Sequence, residues 1–319
     1  MAGEFELIER YFTGRGALRD DVAVGVGDDG AVLSVPAGQQ LVAVADTIVD
    51  GVHFPVGSDP ADVGHRALAV NLSDLAAMGA VPAWATVCLT LPTGDEAWCE
   101  AFAAGFDALA RAHGVALVGG DTTRGPLAIS VQLLGLVPAG QALTRRGARP
   151  GDLVYVTGWP GDAAAGLALL QGRLAGQGAD RSWLVRRFRR PEPRVEFGVR
   201  LRGLASACID VSDGLAVDLG RLAASSGVAA LLRADAVPLS RALYALAGEA
   251  GAREFALGGG DDYELLFTVP LARRGDLAGL QGPGAPALHC IGEIAAGHGL
   301  KVRAGGVDLP VRGYDHFPD

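Results

Sequence analysis

Apolar positions alternate along the chain between short continuous runs and helical spacing. The run LVAVAD over 41–46 predicts a buried strand that ends in a carboxylate. Residues 61–79, ADVGHRALAVNLSDLAAMG, carry apolar side chains at helical spacing and stop at a glycine. AWATVCLTL over 83–91 predicts a strand, and DEAWCEAFAAGFDALARAHG over 95–114 an amphipathic helix closed by His113 and Gly114. VALVGGD (115–121) and LAISVQLLGLV (127–137) predict two more strands. The rhythm then breaks in PAGQALTRRGARPGD (138–152), which is rich in Gly, Pro and Arg and poor in apolar residues. Beyond it, DLVYVTGWPGDAAAGLALLQG predicts strand, glycine-proline turn and helix. The stretch 184–202, LVRRFRRPEPRVEFGVRLR, is basic, is interrupted by two prolines, and is expected to be a solvated surface. AGLQGPGAPA over 278–287 is expected to be a surface loop, and no repeat of about 20–50 residues is visible. Strands and helices in alternation predict an α/β or α+β fold. We place domains at 1–138 and 151–319, with a linker at 139–150.

Length supports the division, since 319 residues exceed what one hydrophobic core usually serves. Half the residues are hydrophobic and a fifth are charged, as in compact globular proteins. No apolar run approaches the ~20 residues of a membrane span, and the start MAGEFELIERYF is unlike a secretion signal. The four cysteines, Cys88, Cys99, Cys208 and Cys290, are far apart and form no CxxC pair. They are expected to be buried free thiols in a reducing cytoplasm. A net charge of −9 argues against nucleic acid or an anionic membrane as partner. Lys301 is the only lysine, and its surroundings, GLKVRAGG, exclude a Walker A loop and disfavour a Schiff-base lysine.

The acids change the picture most. GVGDDGAVL (25–33), LVGGDTTRG (117–125), CIDVSDGLAVD (208–218) and LGGGDDYELLF (257–267) each join an apolar run to glycine and aspartate. Any single Asp-Gly can be turn chemistry. At the end of an apolar strand, however, a carboxylate is costly unless a cation compensates it. Asp28, Asp29, Asp46, Asp74, Asp121, Asp210, Asp213, Asp261 and Asp262 stand in such settings. Without clustered His or Cys, an oxygen-only donor set suits Mg²⁺ or Mn²⁺, and Mg²⁺ is usually completed by water and substrate phosphates. Carboxylates, arginines and no P-loop together suggest a nucleotide held through several metal ions.

Several blocks resemble the bacterial thiamine-monophosphate kinases. They are GEFELIERYF (3–12), GVGDDGAVL, DGVHFP (50–55), ALAVNLSDLAAMGA (67–80), GGDTTRGPL (119–127), ALTRRGARPGD (142–152), DVSDGLAVDLG (210–220), GGGDDYELLF and GYDHF (313–317). The resemblance runs nearly end to end. It implies an aminoimidazole ribonucleotide synthetase-like fold, with an N-terminal ATP/Mg-binding and dimerisation domain and a C-terminal α/β domain that completes the nucleotide and substrate sites. It also implies a cytoplasmic homodimer in which the N-terminal sheets meet across the two-fold axis. The implied reaction is in-line transfer of the ATP γ-phosphoryl group to thiamine monophosphate, assisted by several Mg²⁺ ions, to give thiamine diphosphate. By motif, Asp29, Asp46, Asp74, Asp121, Asp210 and Asp213 would be metal ligands, with Asp46, Asp121 and Asp210 central to the chemistry. Gly120, Asp121, Arg145 and Ser212 would contact the nucleotide, and His53, Asp261 and Tyr314 would line the thiamine phosphate site.

Two positions depart from the family. Val44 and Ala45 stand where a Ser or Thr pair usually precedes the strand aspartate, and Asp261 replaces a usual Glu. The second change shortens the reach by about 1.5 Å, the length of one C–C bond. The chemistry accords with these residue types. A phosphate monoester has a second pKa of about 6, so as acceptor it needs no strong general base at neutral pH. It needs relief of the repulsion between two anions, which metal ions and a planar arginine fork provide. The rival readings are a sister synthetase activity, a metal-dependent phosphatase and a non-catalytic nucleotide-binding protein. Selenophosphate formation is disfavoured because no thiol precedes Cys88 and no lysine accompanies one. Aromatic candidates for thiamine are Tyr314, with Trp84 and Phe317 more naturally explained by packing.

Overall fold

The computed structural model describes residues 4–310. The chain divides into two compact units, Met1–Leu75 with Ala80–Gly140, and Ala76–Gly79 with Gln141–Asp319.

The first unit opens with a short helix, α1 (Glu4–Leu7), and a small antiparallel ribbon of β1 (Val22–Val24) and β2 (Val32–Leu33). Its main sheet has the order β3-β6-β4-β5, with β3 at Gln39–Val49, β4 at Val81–Leu91, β5 at Ala116–Arg124 and β6 at Ala128–Pro138. Two helices, α2 (Pro60–Ala77) and α3 (Glu96–Ala112), complete it. Asp95 caps α3 by accepting a hydrogen bond from the Trp98 N–H at 3.1 Å, and the chain turns at Gly114 with φ +67. The two helices approach so closely that a side chain at Gly64 or Gly105 would collide with the backbone of the other. Trp84 packs with Ala83, Ala116 and Val118 against Val22, Leu33 and Leu134, and its indole N–H donates to Asp21 at 2.9 Å. It is a core residue of this unit.

The structure modifies two expectations here. The strand over 41–46 continues to Val49, so Asp46 lies inside it, and only Val42 and Ile48 of the strand are buried. An edge strand has a neighbour on one side only, which leaves its side chains accessible. Cys88 is exposed, because alternation in β4 turns it away from the buried Val87 and Leu89. Cys290 is half-buried, while Cys99 and Cys208 are buried as expected.

The second unit is built on a seven-stranded sheet of order β13-β12-β9-β11-β7-β10-β8. Its strands are β7 (Asp152–Thr157), β8 (Ala207–Asp210), β9 (Ala229–Arg233), β10 (Leu265–Pro270), β11 (Leu288–Ala295), β12 (Gly299–Ala304) and β13 (Val307–Leu309). Its helices are α4 (Asp162–Leu170), α5 (Gly178–Arg189), α6 (Val195–Leu201), α7 (Leu215–Ser226) and α8 (Arg241–Gly258). Val154, Val156, Ile209 and Leu266 of the sheet pack with Leu215, Leu219 and Leu222 of α7. A second cluster joins α4, α5 and α8 through Leu169, Leu184 and Leu243. The basic stretch 184–202 is not a wholly solvated surface. Leu184, Phe188, Phe197 and Leu201 are buried, and so is Arg187, whose guanidinium finds a buried carboxylate.

Candidate active site

In the first unit the expected residues occupy three places. Asp28 and Asp29 lie on an exposed turn, where the Asp29 N–H donates to Asp28 Oδ1 at 2.8 Å. The pair is tolerated because both carboxylates meet water and one is engaged by the backbone. Strand register decides the next two. Thr47, Ser130, Cys88 and Asp121 face one another in a row across the four strands, and Asp46, Val131, Val87 and Gly120 form the adjacent row. Side chains of adjacent rows project to opposite faces. Asp46 therefore shares the face of the buried valines, and Asp121 lies on the other face with Cys88. Both carboxylates are exposed.

Gly120 has φ +150, and a Cβ there would meet the Val87 backbone, so only glycine lets β5 lie this close beside β4. Asp74, half-exposed, is on α2 in the turn before the Gly79 stop. His53 follows β3, and its Nδ1 accepts the Val49 N–H at 3.0 Å. That bond leaves Nε2 as the protonated nitrogen of the neutral ring.

In the second unit the expected residues converge. Asp210 ends β8 and is buried, and Ser212 and Asp213 follow in the turn into α7. The segment 259–264 lies against this turn. The Val211 N–H donates to Glu264 O at 2.8 Å, the Asp261 N–H to Ser212 O at 2.8 Å, and the Tyr263 N–H to Val211 O at 2.9 Å. A Cβ on Gly260 would strike the Ser212 carbonyl. Asp210, Ser212, Asp213 and Asp261 thus share one end of the sheet. Arg145 is exposed within the stretch 141–150, and its carbonyl accepts from Ser226 Oγ at 3.0 Å. Tyr314 and Phe317 lie outside the described residues.

Several supporting groups have no signal that local spacing could reveal. Asp218 Oδ2 accepts the N–H groups of Ser212, Asp213 and Gly214 at 3.1, 3.0 and 3.2 Å, which pins the whole turn. Burial pushes its pKa up to about 6, against the pull of those donors. Arg221 bridges Asp213 and Asp218. Glu264 is fully buried. Arg194 grips it through Nε and Nη2 at 2.7 and 2.6 Å, Arg187 donates at 2.8 Å and the Thr157 hydroxyl at 2.5 Å. Burial alone would raise the Glu264 pKa, but Arg194 and then Arg187 outweigh it and hold the carboxyl below its ordinary value. Asp262 was visible as an acid at a strand end, but its partners were not. Its carboxylate accepts the Gly161 N–H at 2.6 Å and the Ala163 N–H at 3.2 Å, at the start of α4. Burial raises its pKa well above the ordinary range.

Among the described residues no three His, Cys, Asp or Glu side chains gather into a metal site. The donor chemistry is nevertheless that of a hard cation, because the accessible groups are carboxylate oxygens. Mg²⁺ commonly takes one or two carboxylates and completes its shell with water and substrate phosphates, so the residues present fit it without a protein cage.

Residues 27–137 match the N-terminal domain of AIR synthase related proteins, and 149–305 match their C-terminal domain. Over 319 residues the chain is 49% identical to the thiamine-monophosphate kinase of Salmonella typhimurium, covering 99% of this chain and 98% of the relative. The chain belongs to the thiamine-monophosphate kinase family. The family's solved structures share its two-domain AIR synthase-like fold. The kinase from Stenotrophomonas maltophilia K279a aligns with TM-score 0.85 at 52% identity, over 90% of this chain and 92% of that one. A ThiL structure complexed with AMPPCP and TMP, AaThiL, aligns at TM-score 0.79 and 33% identity over 92% of both chains. No helix among the described residues is long and apolar enough to cross a membrane.

Proposed function

We propose that this protein transfers the γ-phosphoryl group of ATP to thiamine monophosphate, forming thiamine diphosphate, in the cytoplasm. What carries the reading is the end-to-end identity to named kinases, joined to a relative that holds an ATP analogue and TMP together. The convergence of Asp210, Ser212, Asp213 and Asp261 on one sheet end supports it. Mg²⁺, when bound, neutralises charge on the phosphates of donor and acceptor. Several such ions would share Asp29, Asp46, Asp74, Asp121, Asp210 and Asp213 as ligands, with Asp46 and Asp121, on opposite faces of their sheet, serving different ions. Gly120, Asp121, Arg145 and Ser212 hold the nucleotide. Arg145 is exposed, and its planar fork suits phosphate oxygens. His53, Asp261 and Tyr314 receive the thiamine phosphate. Val44 and Ala45 offer no hydroxyl, so a backbone carbonyl or water would take the place of one beside Asp46 when an ion is bound.

The working unit is a homodimer joined through the N-terminal sheets. β3 is an edge strand with accessible side chains, and Leu41 is 47% exposed on it. An open apolar strand edge of this length is a surface that proteins normally cover.

The test measures ADP release from ATP with thiamine monophosphate, and with thiamine in parallel, each titrated with Mg²⁺. The proposal expects ADP only with the monophosphate and a steep dependence on Mg²⁺. No acceptor-dependent ADP at any Mg²⁺ level would overturn it. Asp121→Asn should abolish turnover with the circular dichroism spectrum and melting unchanged. An active variant would remove Asp121 from the metal set.

A further inference from the structure

The loop 259–264 has a backbone unlike any other in the described chain. Its Asp261 and Tyr263, at φ +69 and +52, are the only described residues other than glycine with positive φ. Aspartate visits this left-handed region with modest cost, but tyrosine rarely does. Two such residues on either side of one buried aspartate form a conformation that persists only under outside constraint. Part of the constraint is the backbone pairing of 261 and 263 with 211 and 212. A further part comes from Asp262. Its side chain points inward, 1% exposed, and its two oxygens accept the N–H groups of Gly161 and Ala163. Because residues 261 and 263 flank it in the left-handed region, anchoring 262 inward sends Asp261 the other way. Asp261 stays half-exposed, with the Tyr263 hydroxyl donating to its Oδ1 at 3.2 Å.

We infer that Asp262 is a positioning residue for the thiamine phosphate site, fixing the direction in which Asp261 presents its carboxylate by tying the strained 261–263 segment to the start of α4. The inference rests on the proposed assignment of Asp261 to that site. Without the two hydrogen bonds, the segment loses its polar anchor on α4, which favours relaxation of residues 261 and 263 to ordinary extended backbone. That relaxation rotates the Asp261 side chain away from its present direction. The loss falls on acceptor binding more than on the nucleotide, because the Ser212 turn, although its carbonyl accepts the Asp261 N–H, is held separately by Asp218.

The experiment is steady-state kinetics on Asp261→Asn, Asp262→Asn and the double variant, with melting measured in parallel. Asparagine at 261 keeps the tolerance for positive φ while removing the charge, and asparagine at 262 keeps the volume but replaces one acceptor with a donor. The expected result is that Asp262→Asn raises KM for thiamine monophosphate by about tenfold while KM for ATP stays within about twofold. In the Asp261→Asn background the same change should add nothing to that KM, the mark of a residue acting through another. A lowered melting temperature with unchanged KM would make Asp262 a helix cap alone and overturn the inference. An equal rise in both backgrounds would also overturn it. If Asp261→Asn leaves KM unchanged, the assignment of Asp261 falls and the inference falls with it. That failure is distinct, because in the others Asp261 still matters. Asp262→Ser, which retains one oxygen acceptor, replaces the Asn variant if that one does not fold, with the same outcomes read.

Discussion

At the scale of single residues, the most consequential contact is the grip of Arg194 and Arg187 on Glu264. All three are largely buried, and a pair so placed is expensive to break because the survivors stay charged in a poor solvent. Glu264→Gln should therefore cost about 3–5 kcal/mol at pH 7, read from the shift in urea unfolding midpoint. The pH dependence has a definite sign. The folded-state pKa of Glu264 lies below its ordinary value, so its contribution is fully present above the ordinary glutamate range. It is lost as pH falls through the depressed folded value. The stability gap between wild type and Glu264→Gln should then narrow on acidification below about pH 4.5. A gap that stays constant from pH 7 to pH 3 would refute this account. None of the partnership was legible locally, since Arg194 lies 70 residues from Glu264 and its stretch reads as a charged surface.

At the scale of elements, glycines decide how near two segments can come. β5 runs parallel to β4, and Gly120 sits where a Cβ would enter the Val87 backbone. Gly120→Ala should destabilise the first unit by roughly 2 kcal/mol or more, from overpacking added to a strained positive φ. Because Asp121 is the next residue, the same change should raise KM for ATP, and a variant with wild-type melting would contradict the close approach. The turn into α7 shows the opposite device, in which one buried carboxylate, Asp218, gathers three N–H groups. That Asp218 turns back on Ser212–Gly214 was not readable locally, because an acid in a first helical turn can as well face solvent and favour the helix dipole.

At the scale of the whole molecule, the two units divide the expected ligands between them, four aspartates in one and two in the other. Register separates Asp46 and Asp121 onto opposite faces of one sheet, so each meets its own surroundings. The proposed homodimer places its seam on the accessible edge strand β3. Leu41→Lys should halve the mass found by sedimentation equilibrium, since a charge on the edge opposes pairing with a second copy. A variant of unchanged mass would move the interface elsewhere.

The sequence by itself determined the alternation of strands and helices in the first unit, the opening strand and helix of the second, the absence of a P-loop and the blocks that mark the family. These depend on short-range physics: side-chain period, turn chemistry and the identity of neighbours a few residues apart. Only the tertiary structure decided that Asp262 faces α4, that Glu264 is caged by two arginines, and that β3 runs past Asp46 as an accessible edge. Such outcomes depend on which strands lie side by side and in what register. A shift of one residue would turn every side chain to the other face without changing any local pattern.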